Sequence, residues 1–517
     1  MPINTSNAIV SLVFVFIACV GISSSNANEN RPNIVLIMVD DFGYECLGCN
    51  GGLSYQTPNI DRLAKNGVRF TECHSQPLCT PTRNQIMTGK YNFRNYENFE
   101  YMSPDEITFG HLLKETGYKT CIAGKWQLNG RGWKRDGREN PSRPMDAGFD
   151  ATCLWQVTSL PPRFKNPGLE VNGKLKSFPE KYGPDVCTDF ICDFIQENKN
   201  ESFFVYYPMI LTHSPFVPTP DSLDWSQKKP RRNKQAYFKE MVEYTDSLVS
   251  KIESSLKANG VLENTILIFT GDNGTTRGLE TKTKTGMVKG AKGMTTDAGT
   301  HVPLVVSWPN SGAKGFVCDD LIDFTDVLPT LMDAASKKIP SELKVDGVSF
   351  LPQVKGQTGT PRESIYCFYD PVHSQNVNKF RNRFARAKNF KVYRDGTIFD
   401  IKKDLLEQSP LKTQDLSQEE QHEVDMLISR MDDYDSQGAA NAAKILRNKV
   451  RPGNKISAIN TTCPRSGKPI KPDSLAIYKG HIVGFCNTHC RDDFAGNMQD
   501  RPEDRQFFES IINASLK

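Results

Sequence analysis

Two acidic turns and one cysteine supply the residue types from which a reactive centre could be assembled. Asp40 and Asp41 close one apolar run, and Asp272 and Asn273 stand in Gly271-Asp272-Asn273-Gly274 at the end of another. Adjacent carboxylates repel each other unless a cation holds them together. Three carboxylates and an amide are hard oxygen donors, which suits Ca²⁺ or Mg²⁺ rather than a soft metal. Taken singly, each turn also reads as ordinary loop chemistry. Between them lies Leu78-Cys79-Thr80-Pro81-Thr82-Arg83, running on to Met87-Thr88-Gly89. A cysteine at a helix start is placed to react, because the helix N-terminus favours an anion. A lone cysteine is more commonly a small buried apolar residue.

These groups need strands to carry them. Asn33–Val39 (NIVLIMV) is continuous, apolar and rich in β-branched residues, which predicts a strand buried on both faces, as in a parallel sheet. Phe203–Tyr207, Thr265–Thr270 and Val302–Trp308 repeat the pattern. Helical periodicity covers Asn233–Ala258 and Phe324–Ala335, and Thr57-Pro58 opens a short helix that stops at Gly67. Strands alternating with helices predict an α/β domain whose ligands bind at the carboxyl ends of the strands. From about residue 363 the texture changes. Ser364–Tyr369, Arg383–Lys388 and Phe390–Tyr393, with a turn at Asp395-Gly396, predict an antiparallel subdomain.

Composition narrows the class. The chain has 517 residues, enough for a large core, and a formal net charge of +4. That balance argues against binding nucleic acid by bulk charge. A mean hydropathy of −0.49 excludes a polytopic membrane protein. The apolar run Ala8–Ile22, followed by Ser25-Asn26-Ala27, is shorter than the ~20 residues a spanning helix needs. It predicts a signal peptide over 1–27 and export to the periplasm or the extracellular space, with no integral membrane span after its removal. A retained N-terminal anchor and a lipoprotein box at Phe16-Ile17-Ala18-Cys19 are the other readings, and the segment before the run has no Lys or Arg. Of the 14 cysteines, Cys19 lies in that predicted signal; export would place the remaining ones in an oxidising compartment, with no connectivity deducible from their spacing.

The string Cys79-x-Pro81-x-Arg83 followed by Met87-Thr88-Gly89 resembles the signature of the type I sulfatases, members of the alkaline-phosphatase-like superfamily. The resemblance extends through Arg31-Pro32-Asn33-Ile34 to Asp40-Asp41, Gly124-Lys125-Trp126, Leu211-Thr212-His213-Ser214-Pro215, Gly271-Asp272-Asn273-Gly274, Gly290-Ala291-Lys292-Gly293, Asp326-Val327-Leu328-Pro329-Thr330 and Asp346-Gly347-Val348-Ser349. It covers about residues 31–410. It implies a sulfuric ester hydrolase in which Cys79 is oxidised to formylglycine by a formylglycine-generating enzyme. Asp40, Asp41, Asp272 and Asn273, with the modified Cys79, would hold Ca²⁺. The hydrated aldehyde would attack sulfur, and its second hydroxyl would expel sulfate. Arg83 would orient the hydrate, Lys125 and Lys292 would clamp sulfate oxygens, and His213 would protonate the leaving oxygen. A lysine considered alone is a solvated surface cation; only the motif context assigns it a role.

The chain departs from the family at Gln127, where the lysine motif normally continues with histidine. Glutamine donates and accepts hydrogen bonds but takes up no proton at neutral pH. His301 is a candidate substitute base, or else a second-layer or surface histidine, and Asp297-Ala298-Gly299 replaces the usual Glu-Gly-Gly. Gln127 keeps open a sulfatase-like shell that binds sulfated glycans without turnover, which the intact cysteine motif argues against. A phosphoester hydrolase of the same superfamily is a further alternative. The expected substrate is a sulfated carbohydrate, and the basic loop 129–146 would suit a polyanionic glycan or is simply a solvated surface. Asn-x-Ser/Thr triplets occur after the signal at Asn200, Asn273, Asn460 and Asn513, and a glycan on Asn273 would contradict its place in the site.

The organisation that follows is a signal peptide (1–27), a catalytic domain (28–362) with a mostly parallel central sheet, an antiparallel C-terminal subdomain (363–433), a polar linker (434–459) and a cysteine module (460–517). In the last, Cys463, Cys486 and Cys490 follow a C-x22-C-x3-C spacing that resembles YHS/TRASH-type metal-binding modules. That resemblance implies a zinc or copper ion, with His481 or His489 as an unassigned fourth ligand. A knob with one disulfide and one free thiol is the alternative.

Overall fold

A computed structural model describes residue 1 and residues 31–97, 99–131, 137–227, 234–369, 382–449, 458–471, 474–478, 481–496 and 502–515. The predicted signal peptide and part of the basic loop 129–146 lie outside the described residues. Among the described residues, no helix is long and apolar enough to cross a membrane.

Among the described residues there are eighteen strands, which fall into four sheets. Those of the catalytic region are β1 (Asn33–Val39), β2 (Val68–His74), β3 (Lys119–Lys125), β4 (Ala151–Trp155), β5 (Gly168–Val171), β6 (Lys174–Ser177), β7 (Phe203–Pro208), β8 (Thr265–Gly271), β9 (Glu280–Thr283), β10 (Gly286–Lys289), β11 (Leu304–Ser307) and β12 (Phe316–Asp323). Ten form one sheet in the order β12-β2-β11-β8-β1-β7-β3-β4-β5-β6. From β8 to β4 every neighbouring pair is parallel. The reversals are β11 against β8 and β2, and β5 against β4 and β6. The strands read from apolar runs are present, with Val302–Trp308 contracted to β11. This is the α/β class with a mostly parallel sheet.

The run NIVLIMV is apolar throughout because both faces of β1 are covered. Ile34, Leu36 and Met38 pack on one side with Ile86, Met87, Leu112 and Leu331. Val35, Ile37 and Val39 pack on the other with Ile60, Cys187, Ile191 and Met241. Helices Pro58–Asn66, Gly183–Glu197 and Lys234–Ala258 therefore cover one face. Helices Cys79–Thr88 and Val327–Ala334 cover the other. Because β1, β3, β7 and β8 run parallel, their carboxyl ends open at one edge.

Strands β13 (Ile365–Tyr369), β14 (Asn382–Arg386), β15 (Phe390–Tyr393) and β16 (Ile398–Asp400) form the predicted antiparallel sheet in consecutive order. Arg386 joins it to the main domain, donating to Glu72 and to Asp297, each at 3.0 Å. The sheet packs against a helix, Gln418–Lys449, through Val424, Leu427 and Met431. That helix runs through residues 434–449 of the stretch read as a polar linker, and residues 450–457 of it lie outside the described residues. The Ala- and Asn-containing stretch resembles a spacer in composition, yet alanine is the strongest helix former and continues a helix already anchored by its first turns. The C-terminal hairpin β17 (Leu475–Tyr478) and β18 (His481–Gly484) pairs antiparallel, and helices Thr488–Gly496 and Pro502–Ser515 follow it. Phe485, Phe494 and Phe508 form its own small core with Tyr478. All thirteen cysteines among the described residues are free thiols.

Candidate active site

The site is built where β1 and β8 end side by side. Val39 is in register with Gly271, so Asp40 and Asp272 follow on adjacent strands. The Asp272 N–H donates to the Val39 carbonyl at 2.8 Å, and the Asp41 N–H donates to Asp272 Oδ1 at 2.9 Å. Successive side chains on a strand point to opposite faces. Asp41 escapes this alternation with φ +63°, a left-handed conformation that aspartate tolerates better than most residues. Both carboxylates thus reach one place. Gly274 permits the second turn, because a Cβ there would lie 1.9 Å from the Ala298 carbonyl oxygen.

Ligand atoms of Asp40, Cys79 and Asp272 lie within 4.8 Å of one another, as do those of Asp40, Asp41 and His213. Cys79 opens the helix Cys79–Thr88, every residue of which is buried. Arg83 lies one turn along it. Its Nη2 donates to Asp272 Oδ2 and its Nη1 to the Lys125 carbonyl, both at 3.0 Å. Lys125, at the end of β3, donates to Asp40 Oδ2 at 2.7 Å. Lys292 lies 2.6 Å from Asp41 Oδ1. His213 follows the β7 tip, with Nε2 4.0 Å from Asp41 Oδ2. Gln127 is buried beside Lys125 at φ +58°, and its backbone N–H donates to the Gln156 carbonyl at 3.2 Å.

The electrostatics are uneven. Burial would raise Asp40, but Lys125, His213 and Arg83 outweigh it and hold the carboxyl well below the usual range. Burial and the charge on Asp40 push Asp272 up to about 8 despite Arg83. Burial also raises the Cys79 thiol, even with Lys125 and Lys292 nearby. Desolvation therefore outweighs the helix N-terminus and disfavours a thiolate at Cys79. His213 is lowered to about 4, chiefly by burial.

The residues suit a hard cation. Asp40 Oδ1 and Asn273 Oδ1 are buried with no hydrogen-bond partner among the described residues, and they come from the two different strand tips. Asn273 is fully buried and its Nδ2 donates to Asp41 Oδ1 at 2.9 Å, which leaves no room for a glycan. Sequence reasoning missed Thr276, whose hydroxyl donates to Asp41 Oδ2 at 2.8 Å, and Arg163, whose Nη2 lies 3.0 Å from His213 Nδ1. Neither carries a spacing signal; only the folded loops bring them in.

Residues 32–337 match the family described as Sulfatase. The chain belongs to the sulfatase family. Residues 291–434 match the family described as N-sulphoglucosamine sulphohydrolase, C-terminal. Arylsulfatase A of Homo sapiens is 30% identical over 393 residues, 69% of this chain and 74% of that one. N-acetylgalactosamine-6-sulfatase of Mus musculus is 30% identical over 383 residues, 67% of this chain and 70% of that one. Among solved structures, Ps i-CgsB has a TM-score of 0.64 at 24% identity, covering 78% of this chain and 92% of its own. BT4656 in complex with its substrate, D-glucosamine-2-N,6-O-disulfate, has a TM-score of 0.63 at 20% identity, covering 80% and 99%. At these identities the likeness establishes the fold. The sulfatase is a sulfuric ester hydrolase.

His301 is placed away from the role of substitute base. Its Nδ1 lies 3.0 Å from Asp297 Oδ2 and its Nε2 2.9 Å from the Thr71 carbonyl. Both partners only accept, so both ring nitrogens carry protons and the ring is an imidazolium. Burial opposes this, but Asp297 outweighs it and raises His301, while His301 and Arg386 hold Asp297 low. The ring stacks between Tyr44 and His74, with centroids 4.1 and 4.9 Å away.

The stability from this pair has a defined pH window. The raised histidine contributes fully below its unfolded value, about 6.5, and loses that contribution as pH rises through its folded value. The lowered aspartate contributes above about 3.9 and loses as pH falls. H301Q is expected to cost about 3 kcal/mol near pH 5.5 in urea unfolding, because it strands buried Asp297. The gap from wild type should narrow as pH climbs above about 7; a gap constant across that range would refute the charged assignment.

Proposed function

We propose that this sulfatase removes sulfate from a sulfated carbohydrate after export, using formylglycine made from Cys79. The observation that carries the reading is the convergence on Asp40 of two groups, Cys79 with Asp272 and Asp41 with His213, in which the carboxylates and the cysteine are buried and His213 is half-buried. Asp40, Asp41, Asp272 and Asn273, with the modified Cys79, would hold Ca²⁺, which supplies Lewis-acid polarisation and lowers the pKa of a bound hydroxyl. Formylglycine supplies, as its hydrate, an oxygen nucleophile with a second hydroxyl for release of sulfate. A formylglycine-generating enzyme would be the partner that converts Cys79.

The chain's own residues do the rest. Lys125 and Lys292 bring two ammonium groups to the carboxylate cluster, where they neutralise sulfate oxygens as charge redistributes toward the leaving group. Arg83 locks Asp272 to the Lys125 backbone and so fixes the distance between the β8 tip and the β3 tip. His213 places an imidazole nitrogen at the mouth of the cluster, where it meets the leaving oxygen. Gln127, whose buried Oε1 has no hydrogen-bond partner among the described residues, stands where the family commonly has a titrating histidine. The relatives act on sulfated substrates by their names, including an N-acetylgalactosamine-6-sulfatase, and the complexed neighbour holds a sulfated glucosamine. A sulfated sugar is the substrate class that fits both.

In the C-terminal module, the sulfurs of Cys463, Cys486 and Cys490 lie within 4.8 Å of one another. Burial would raise Cys463, but the backbone N–H groups of Cys486, Arg465 and Ser466 outweigh it and bring the thiol down to about 7. Ser466 and Asn487 donate to the Cys486 sulfur at 3.2 and 3.3 Å. We infer that the three thiolates take a zinc or copper ion. His489 is exposed, and the side chain of His481 lies outside the described residues.

Peptide mass analysis across Cys79, from a host able to convert it, should show loss of one sulfur and two hydrogens and gain of one oxygen. The converted enzyme should cleave an aryl sulfate well ahead of the matching aryl phosphate, and C79A should lower kcat by about 1,000-fold or more. Calcium chelation should abolish turnover, and calcium should restore it. An unconverted thiol, or a preference for the phosphate, would sink the reading. Q127H should raise kcat by about tenfold if release of sulfate lacks a base, and an unchanged kcat would count against that lack. For the module, native mass spectrometry should find one zinc or copper ion that C490S loses; a metal-free wild type after zinc and copper loading would exclude the site.

A further inference from the structure

Arg163 is a cation beside the site to which the sulfate chemistry above gives no role. It lies in Pro161-Pro162-Arg163-Phe164, after the β4 tip. Its guanidinium carbon is 4.5 Å from the Trp155 ring centroid and 5.1 Å from that of Phe164. Trp155 Nε1 donates to the Pro161 carbonyl at 2.8 Å and so ties the loop to the ring on which the arginine stacks. The backbone is pinned as well. Gly183 lies so close beneath it that a Cβ there would sit 1.9 Å from the Arg163 carbonyl oxygen. A stacked planar guanidinium on a pinned loop loses little freedom when it binds.

What it touches is the imidazole. Arg163 Nη2 donates to the Ser214 carbonyl, lies 3.4 Å from the His213 carbonyl and stands 3.0 Å from His213 Nδ1. The same Nδ1 is 2.7 Å from the Ser214 carbonyl. Donor and acceptor counting makes these contacts a choice. Guanidinium has donors only, and a carbonyl accepts only. Without Arg163, the ring would put its proton on Nδ1 and donate it to Ser214, leaving Nε2 a bare lone pair. A carbonyl oxygen has two lone pairs, so Arg163 on Ser214 does not by itself turn the ring away; the guanidinium N–H facing Nδ1 at 3.0 Å is what places the lone pair on Nδ1 and the proton on Nε2. Nε2 is the nitrogen that faces Asp41 at 4.0 Å.

We propose that Arg163 is a positioning residue that selects the His213 tautomer with the proton on Nε2, so that the ring presents an N–H to the departing oxygen. The assignment rests on the role proposed above for His213. A donor at the leaving oxygen matters most when that oxygen is a poor leaving group, and this gives a readout that a merely structural role would not move.

The test uses the converted, calcium-loaded full chain and a series of sulfates, from para-nitrophenyl sulfate through phenyl sulfate to an alkyl sulfate. R163A should slow the alkyl and phenyl esters by about 100-fold in kcat, and the para-nitrophenyl ester by far less. H213A should show the same leaving-group pattern, and R163A/H213A should be no slower than H213A alone. R163K, which keeps the charge and a donor, should restore part of the loss. In ¹⁵N spectra, the His213 signal should change from an Nε2–H to an Nδ1–H pattern in R163A. A loss equal across the series, or single losses that multiply in the double variant, would overturn the proposal for Arg163 while leaving the sulfatase reading intact. A flat leaving-group pattern in H213A itself would overturn the role of His213, and this assignment with it. Should R163A not fold, the leaving-group slopes of R163K and R163Q decide between the same outcomes.

Discussion

Three aspartates without solvent contact, brought together at the tips of two adjacent strands, are the constraint from which the rest of the catalytic domain follows. Removing one carboxylate from water costs several kcal/mol unless it is paired and hydrogen-bonded. Each here has its own cation from a different segment: Lys125 for Asp40, Lys292 for Asp41 and Arg83 for Asp272. A cation beside each carboxylate makes the cluster tolerable to bury, with burial still holding Asp272 well above the usual carboxylate range. It also explains the layout. The cations come from β3, from the loop after β10 and from the cysteine-bearing helix, so the fold must bring those parts to the same edge as β1 and β8. A parallel sheet does this directly, because its carboxyl ends share one side.

The legible part of the structure was the part that desolvation writes into sequence. Runs such as NIVLIMV and TILIFT mark strands covered on both faces, and the acidic pairs after them mark the tips. The Cys79, Lys125, His213 and Lys292 segments were readable through family resemblance, since no periodicity singles out a lysine. The illegible part depended on folded loops. Arg163 sits in an unremarkable Pro-Pro-Arg-Phe string, and Thr276 is one threonine among several near the second turn. The helix over residues 434–449 is hidden by an Ala/Gly/Asn composition that serves spacers and helices alike. His301 resists a sequence reading because a histidine next to a reordered motif looks catalytic, whereas its partners, Asp297 and the Thr71 carbonyl, are distant in sequence or ambiguous in role.

The two histidines illustrate how position decides protonation. His301 faces two acceptors and is held charged, serving as the counterion that lets Asp297 and Arg386 join the antiparallel sheet to the main domain. His213 lies among cations as well as carboxylates and is held neutral at ordinary pH. A neutral imidazole has one proton to place, and whichever nitrogen holds it decides whether the ring donates or accepts at the site. That is why a guanidinium on the far side of the ring matters to chemistry it never touches.

Burial decides the state of the cysteine as well. A thiol acts as a nucleophile only when ionised, and Cys79 is buried against that outcome although two lysines stand close by. A position that desolvates an anion is poorly suited to a thiolate. It would suit the proposed aldehyde carbon, which is uncharged and gains its second hydroxyl by addition of one water. On the proposed reading, the lysines need not stabilise a resting sulfur anion and would remain available for sulfate. Burial of Cys79, which would be a defect in a thiol enzyme, is thus consistent with a residue whose reactive form is made by oxidation.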